Sequence, residues 1–124
     1  MFPERGDDPL TLIVRQLKAL ADPSRLAILH ALREAEKNVT ELVEETGLKQ
    51  ANISKHLRIL REEGLVSKRR ENRNIFYSLT NGVTQQICTL ISKSLESKAT
   101  GDSEILKTYL AANASHVGGR EKAV

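Results

Sequence analysis

The stretch TELVEETGLKQANISKHLRILREEGL, residues 40–65, constrains the fold most strongly, because it encodes two helices joined by a short turn. We predict that Thr40 caps the first helix and that Gly47 ends it in the left-handed conformation that glycine adopts easily. The second helix ends at Gly64 and buries a stripe formed by Ile53, Leu57 and Leu60. Two helices separated by a short glycine-containing turn are typical of the helix-turn-helix motif.

The other face of the second helix and the residue before it carry hydrogen-bonding side chains, which a helix that only packs a core does not need. They are Lys49, Gln50, Asn52, Ser54, Lys55, His56 and Arg58. An α-helix fits the major groove of DNA, where each base pair presents its own pattern of donors and acceptors. The uncharged members and His56 suit base reading, whereas Lys55 and Arg58 suit phosphates. The alternative is an ordinary solvated helix face.

A change from helical to strand-like periodicity follows over LVSKRRENRNIFYSL, residues 65–79. Two β-prone runs on either side of the turn sequence ENRN predict an antiparallel hairpin. Its cations are Lys68, Arg69, Arg70 and Arg73. Because such a cluster repels itself without a partner, we predict that it contacts phosphates or the minor groove. Basic hairpins can also merely protect sheet edges from aggregation.

Further helical patterns complete the chain, and Asp22 with Pro23 predicts the capped start of the second helix. These patterns are PLTLIVRQLKALA (9–21), DPSRLAILHALREAE (22–36), GVTQQICTLISKSLESKA (82–99) and DSEILKTYLAA (102–112). We therefore predict a mainly α fold with a two-stranded β-hairpin wing, a winged helix-turn-helix. The predicted organisation is a flexible lead-in over 1–9, a DNA-binding domain with dimerisation helices over 10–98, and a short helix with a disordered tail over 99–124.

The distribution of charge favours a polyanion as partner. Residues 49–79 hold eight Lys and Arg against three Glu, a net charge of +5, whereas the rest of the chain carries −2. No apolar run approaches the roughly 20 residues of a membrane span and the N-terminus has no signal-peptide pattern, so we expect a cytoplasmic protein. The sequence has no glycine-rich phosphate loop, nucleophile elbow or acidic pair, so we do not expect an enzyme.

Three segments together resemble the ArsR/SmtB family of winged-helix repressors: LKALADPSRLAILHAL, TELVEETGLKQANISKHLRILREEGLV and RRENRNIFYSL. The resemblance covers roughly residues 10–97 and implies a homodimer that binds a palindromic operator and releases it when an inducer binds. It names no inducer. Dimerisation would use the first helix and the last long one, and the first helix has more apolar surface than one small core can cover. The expected interface residues are Leu10, Ile13, Val14, Leu17, Ile87, Leu90, Ile91 and Leu95.

The chain departs from the family where metal-sensing members bind their ions. Those members carry Cys-Val-Cys at the positions of Asn38, Val39 and Thr40, and acidic and His ligands at those of Asn81, Val83, Ser94 and Ser97. The last four are poor Zn²⁺ ligands, so we expect no metal and no cofactor. His116 with Glu104 or Asp102 is a remote alternative. Lys49 also replaces the serine that often caps the recognition helix, which predicts a weaker helix start or a phosphate contact.

Cys88 is the single cysteine and lies on the last long helix. A lone cysteine excludes an intrachain disulfide and is most often a small buried hydrophobe. Thiol sensors of this type use two cysteines in each chain, which leaves an intersubunit pair or a mixed disulfide. Two alternatives to a plain repressor therefore stay open. One is a redox-responsive repressor acting through Cys88, and the other is a winged-helix protein-interaction module without DNA binding, which the polar face of the second helix disfavours.

Overall fold

The computed structural model describes residues 8–97 and 104–112. Its elements are α1 (Pro9–Leu20), α2 (Pro23–Ala31), α3 (Val39–Thr46), α4 (Gln50–Glu62), β1 (Val66–Glu71), β2 (Asn74–Leu79), α5 (Val83–Glu96) and α6 (residues 104–112). This order confirms the predicted mainly helical fold with a two-stranded wing. Most of the predicted lead-in and the predicted tail from residue 113 lie outside the described residues. Among the described helices, none has both the length and the apolar character needed to cross a bilayer.

The first two helices start with the same device, an aspartate followed by a proline. The Asp8 carboxylate accepts a hydrogen bond from the Thr11 amide at 3.2 Å, and Asp22 accepts one from the Arg25 amide at 2.9 Å. Each aspartate satisfies an amide that has no partner within its helix, and the proline after it has no amide hydrogen to satisfy. The predicted roles of Asp22 and Pro23 are thereby confirmed.

The start of α3 differs from the prediction. Asn38, not Thr40, is the N-cap: its side-chain oxygen accepts from the Glu41 amide, and the Glu41 carboxylate accepts from the Asn38 amide, both at 2.8 Å. This reciprocal capping box satisfies two amides at once, which a cap at Thr40 would not do. The other end follows the prediction, because Gly47 ends α3 with a φ of 76°.

The core of the N-terminal part of the chain is built by α2, α3 and α4. Its largest fully buried side chains are Ile28, Leu29, Leu32, Leu42, Ile53, Leu57 and Leu60. The predicted stripe of α4 is therefore confirmed as core. Full burial of a leucine or isoleucine contributes about 1.5–3 kcal/mol, so this stripe holds α4 firmly against the two preceding helices.

The wing is an antiparallel pair of strands with a two-residue loop. Glu71 pairs with Asn74, which leaves Asn72 and Arg73 in the loop. Asn72 has a φ of 58°, a conformation that asparagine tolerates better than most residues. A third segment joins the wing through an isolated bridge, in which the backbones of Lys37 and Tyr77 exchange hydrogen bonds of 3.0 and 2.9 Å.

The chain forms two compact units, one ending at Thr80 and the other beginning at Asn81. The first contains α1 to α4 and the wing, and the second contains α5 and α6. The sequence predicts one domain over 10–98 that includes α5, and this domain assignment stays a prediction.

Candidate nucleic-acid interface

Helix α4 separates its side chains into a buried stripe and an exposed polar row. Six of the seven side chains that the sequence assigned to DNA, on α4 and at the residue before it, are exposed: Lys49, Gln50, Asn52, Ser54, Lys55 and Arg58. The stripe of Ile53, Leu57 and Leu60 anchors the helix from behind. The row is therefore presented to solvent on a rigid element, as a surface that reads the edges of bases must be.

The first turn of α4 has no side-chain cap. Lys49 occupies the N-cap position with extended backbone and makes no side-chain hydrogen bond to the helix. Amides at such an end carry partial positive charge and attract anions, and the Lys49 side chain is exposed beside them. The missing side-chain cap agrees with the weaker helix start that Lys49 predicts, and the alternative phosphate contact of Lys49 stays a prediction.

His56 does not belong to the exposed row, and this part of the prediction is wrong. Its side chain is only 9% exposed, because residue 56 lies three positions after Ile53 and four before Leu60, on the core face of the helix. Its Nδ1 lies 3.2 Å from an Nη1 atom of Arg25. Burial is the main cause that lowers the pKa of His56; Asp22 opposes the shift, whereas Arg25 and Lys55 add to it.

Arg25 is a structural residue that the sequence did not reveal. Its Nε donates to the carbonyl oxygen of Ala19 at 2.7 Å and its Nη2 to that of Lys18 at 3.2 Å, so it holds the last turn of α1. The same guanidinium contacts His56 on α4. Arg25 thus ties three helices of the first unit together, and no periodic pattern signals such a role.

The wing carries its cations on two faces. Lys68, Arg70 and Arg73 are exposed, and Lys68 and Arg70 lie on one face of β1 because they are two residues apart. Arg69 lies on the other face, where it forms ion pairs with Glu36 and Glu71. The sequence did not indicate these ion pairs of Arg69, and the DNA contact predicted for all four cations stays a prediction.

The predicted dimer residues mostly lack cover within the chain. On α1, Leu10, Ile13, Val14 and Leu17 are exposed, as are Leu90, Ile91 and Leu95 on α5, and Ile87 is half-buried. Leu90 is 67% exposed, whereas the polar residues Thr84, Gln85 and Ser92 of the same helix are buried. A helix that exposes its apolar side and buries polar residues is the pattern of an interface surface.

Cys88 lies in α5 and is half-buried. Burial raises the pKa of its thiol, and a hydrogen bond with Tyr109 on α6 opposes this shift. Because the thiolate is the reactive form, a raised pKa makes the thiol less reactive at neutral pH. This environment disfavours the redox alternative.

Two of the positions at which the resemblance places metal ligands in other members of the family have structural roles here. Asn38 caps α3, and the side-chain oxygen of Asn81 accepts a hydrogen bond from the Val83 amide at 3.0 Å, just before α5. Within residues 8–97 and 104–112, no cluster of three or more His, Cys, Asp or Glu has the arrangement to hold a metal ion. His116 and Asp102 lie outside these residues.

Comparison with known proteins finds the family that the sequence resembles. Residues 22–68 match the family described as bacterial regulatory protein, arsR family. The chain is 37% identical over 92 residues to the HTH-type transcriptional regulator KmtR of Mycobacterium tuberculosis, covering 70% of this chain and 71% of that protein.

Two solved structures share the fold. The crystal structure of NolR from Sinorhizobium fredii has a TM-score of 0.63 and 34% identity, over 75% of this chain and 95% of that one. The solution structure of a homodimeric winged helix-turn-helix DNA-binding domain from Mycobacterium bovis has a TM-score of 0.66 and 28% identity, over 79% of this chain and 91% of that one.

Proposed function

The chain belongs to the ArsR/SmtB family of DNA-binding transcriptional regulators, and we propose that it acts as a homodimeric repressor whose α4 helices read a near-palindromic operator. The observation that carries this proposal is the exposed polar row of α4 above its buried apolar stripe. In this scheme Gln50, Asn52 and Ser54 contact base edges, because their side chains can donate or accept hydrogen bonds.

Cations around this row would hold the sugar-phosphate backbone. Lys49, Lys55 and Arg58 flank the base-reading residues on α4, although Arg58 also lies 3.6 Å from Glu62 in an exposed ion pair. The wing adds Lys68, Arg70 and Arg73, which are exposed in the same unit. Phosphate contacts fix the register of a protein on the duplex, whereas base contacts select the sequence.

The apolar faces of α1 and α5 support self-association. The related domain from Mycobacterium bovis is homodimeric, and the exposed leucines and isoleucines of this chain offer a second copy an apolar surface. A twofold axis would place two α4 helices in successive major grooves about 34 Å apart, which makes the site a near-palindrome. Repression follows where such an operator overlaps a promoter. The protein would act in the cytoplasm, where the bacterial chromosome lies.

The proposal is tested by selecting duplexes from random DNA with the purified protein. We expect a near-palindromic motif, and we expect Asn52→Ala or Ser54→Ala to weaken binding to it by about 1–3 kcal/mol with little effect on random duplex. Thr108→Ala, at an exposed position on α6, serves as the control and leaves both affinities unchanged. Equal losses on the selected motif and on random DNA contradict base reading by α4, and the absence of any selected motif contradicts the function.

A further inference from the structure

The wing is fastened to the segment that precedes α3. Besides the backbone bridge between Lys37 and Tyr77, the Lys37 side chain donates to the carbonyl oxygen of Ala31 at 2.6 Å and lies 3.4 Å from Glu45. Lys37 is therefore held to the end of α2 and to α3 while it pairs with β2, and Glu36 is its neighbour in the chain. A wing side chain that binds this segment therefore also fixes the position of the wing relative to the helix-turn-helix.

Arg69 is the wing side chain that makes this contact. Its Nε donates to one carboxylate oxygen of Glu36 at 2.8 Å, its Nη2 donates to the other at 2.5 Å, and its Nη1 donates to Glu71 at 2.9 Å. The guanidinium also lies over the ring of Phe76, 4.9 Å from its centroid, and Phe76 is the residue paired with Arg69 across the strands. A planar fork that meets both oxygens of one carboxylate is a geometry that lysine cannot reproduce.

These contacts conflict with a role of Arg69 at the DNA backbone. To bind a phosphate, the guanidinium would have to leave two carboxylates and the ring of Phe76, and the Glu36 carboxylate it left would repel the same phosphate. Lys68 and Arg70 point to the opposite face of β1 and have no such competitors among the ion pairs of the described residues.

We infer that Arg69 is a positioning residue, and that Glu36, although acidic, belongs to the DNA-binding machinery because it fixes the wing through Arg69. We call the paired side chains of Arg69 and Glu36 the clamp. The inference rests on the proposed function for its effect on DNA, but the clamp itself is a property of the free protein. With the clamp closed, Lys68, Arg70 and Arg73 meet the duplex at a fixed distance from α4. With the clamp open, the same charges are present but must be ordered on binding, which weakens association.

Salt dependence separates a positioning arginine from a phosphate contact. Each neutralised phosphate contributes about −0.9 to the slope of log K against log[salt]. We expect Arg70→Ala, the matched control, to reduce the magnitude of the slope by about 0.9. Arg69→Ala should instead weaken binding by about two- to fivefold at every salt concentration with the slope unchanged. Glu36→Gln should weaken binding to the same extent, although it removes a negative charge.

A conservative variant and a measurement without DNA complete the test. Arg69→Lys keeps the charge, so it would restore binding at a phosphate contact, but we expect it to behave like Arg69→Ala. In the free protein, Arg69→Ala and Glu36→Gln should accelerate amide exchange at Lys37 and Tyr77, whereas Arg70→Ala should not.

Three outcomes overturn the inference: a slope reduced by Arg69→Ala as by Arg70→Ala, tighter DNA binding by Glu36→Gln, or unchanged exchange at Lys37 and Tyr77 in both clamp variants. Failure of the wild-type protein to bind any duplex at low salt refutes the proposed function instead, and the exchange measurement still decides whether the clamp holds the wing.

Discussion

Helices α4 and α5 have nearly equal lengths, 13 and 14 residues, and each has one apolar and one polar side. They use these sides in opposite ways. Helix α4 buries Ile53, Leu57 and Leu60 and exposes its polar row, whereas α5 exposes Leu90, Ile91 and Leu95 and buries Thr84, Gln85 and Ser92. Amphipathic periodicity therefore indicates that a helix has an apolar face, but it does not indicate whether the same chain or a partner covers that face.

The largest expected effect of this contrast is on folding stability. Leu57→Ala on α4 should lower the free energy of unfolding by about 2–5 kcal/mol, because it removes a fully buried side chain and leaves a cavity. Leu90→Ala on α5 should change the stability of the isolated subunit by only about 0.5 kcal/mol or less, because most of this side chain is already exposed. Urea denaturation at a concentration where the protein is monomeric measures both, and equal losses would show that the two helices are packed alike.

A charge on the exposed face of α5 should separate the subunits. Leu90→Glu places a carboxylate among Ile91 and Leu95, so we expect a folded monomer in sedimentation experiments. Affinity for the full palindrome should then fall by about a hundredfold or more, because the two half-sites are no longer bound together. Lys93→Glu adds the same side chain at an exposed polar position of α5 and should leave the dimer intact. A dimeric Leu90→Glu variant would place the interface elsewhere.

The smallest expected effect concerns His56, the polar residue on the buried side of α4. Its pKa in the folded chain lies below the ordinary value, so the unfolded chain takes up the proton first as the pH falls. The free energy of unfolding should therefore be unaffected by this group at pH 7.5 and should decrease as the pH falls from about 6.5 through the lower pKa. Glutamine does not titrate, so this decrease should be absent in His56→Gln. Between pH 7.5 and 5, the free energy of unfolding of this variant should therefore depend less on pH than that of the wild type. Identical profiles would mean that His56 titrates as it does in the unfolded chain.

Local signals in the sequence were sufficient to predict helix ends and the hairpin, because few alternative local structures fit these residues. Asp22 followed by Pro23 starts a helix, Gly47 ends one, and two β-prone runs around a turn form a hairpin, all as predicted. The cap of α3 shows the limit of such signals. Asn38 and Thr40 are both good caps, and the reciprocal bonds with Glu41 decide between them. The spacing of Asn38 and Glu41 could have indicated this.

The assignment of His56 to the DNA surface failed for a reason that the spacing also contained. Residues 53, 56, 57 and 60 lie on one face of a helix, so a histidine at 56 joins the core stripe. Its polarity favoured the exposed side, but the contact with Arg25 satisfies one ring nitrogen within the structure. Arg25 itself could not be predicted, because its contacts come from α1 and α4 and depend on how these helices pack.

By itself the sequence determined the elements, their order and the membership of a family of DNA-binding regulators, because caps, turns and apolar periodicity act over a few residues and leave their marks in the chain. The tertiary structure alone decided which charged and polar groups remain available to other molecules. Arg69 and Arg70 are neighbours of the same type on β1, yet Arg69 is held by Glu36 from 33 positions away in the chain. Electrostatic contacts between distant residues depend on geometry in three dimensions, and no local pattern records them.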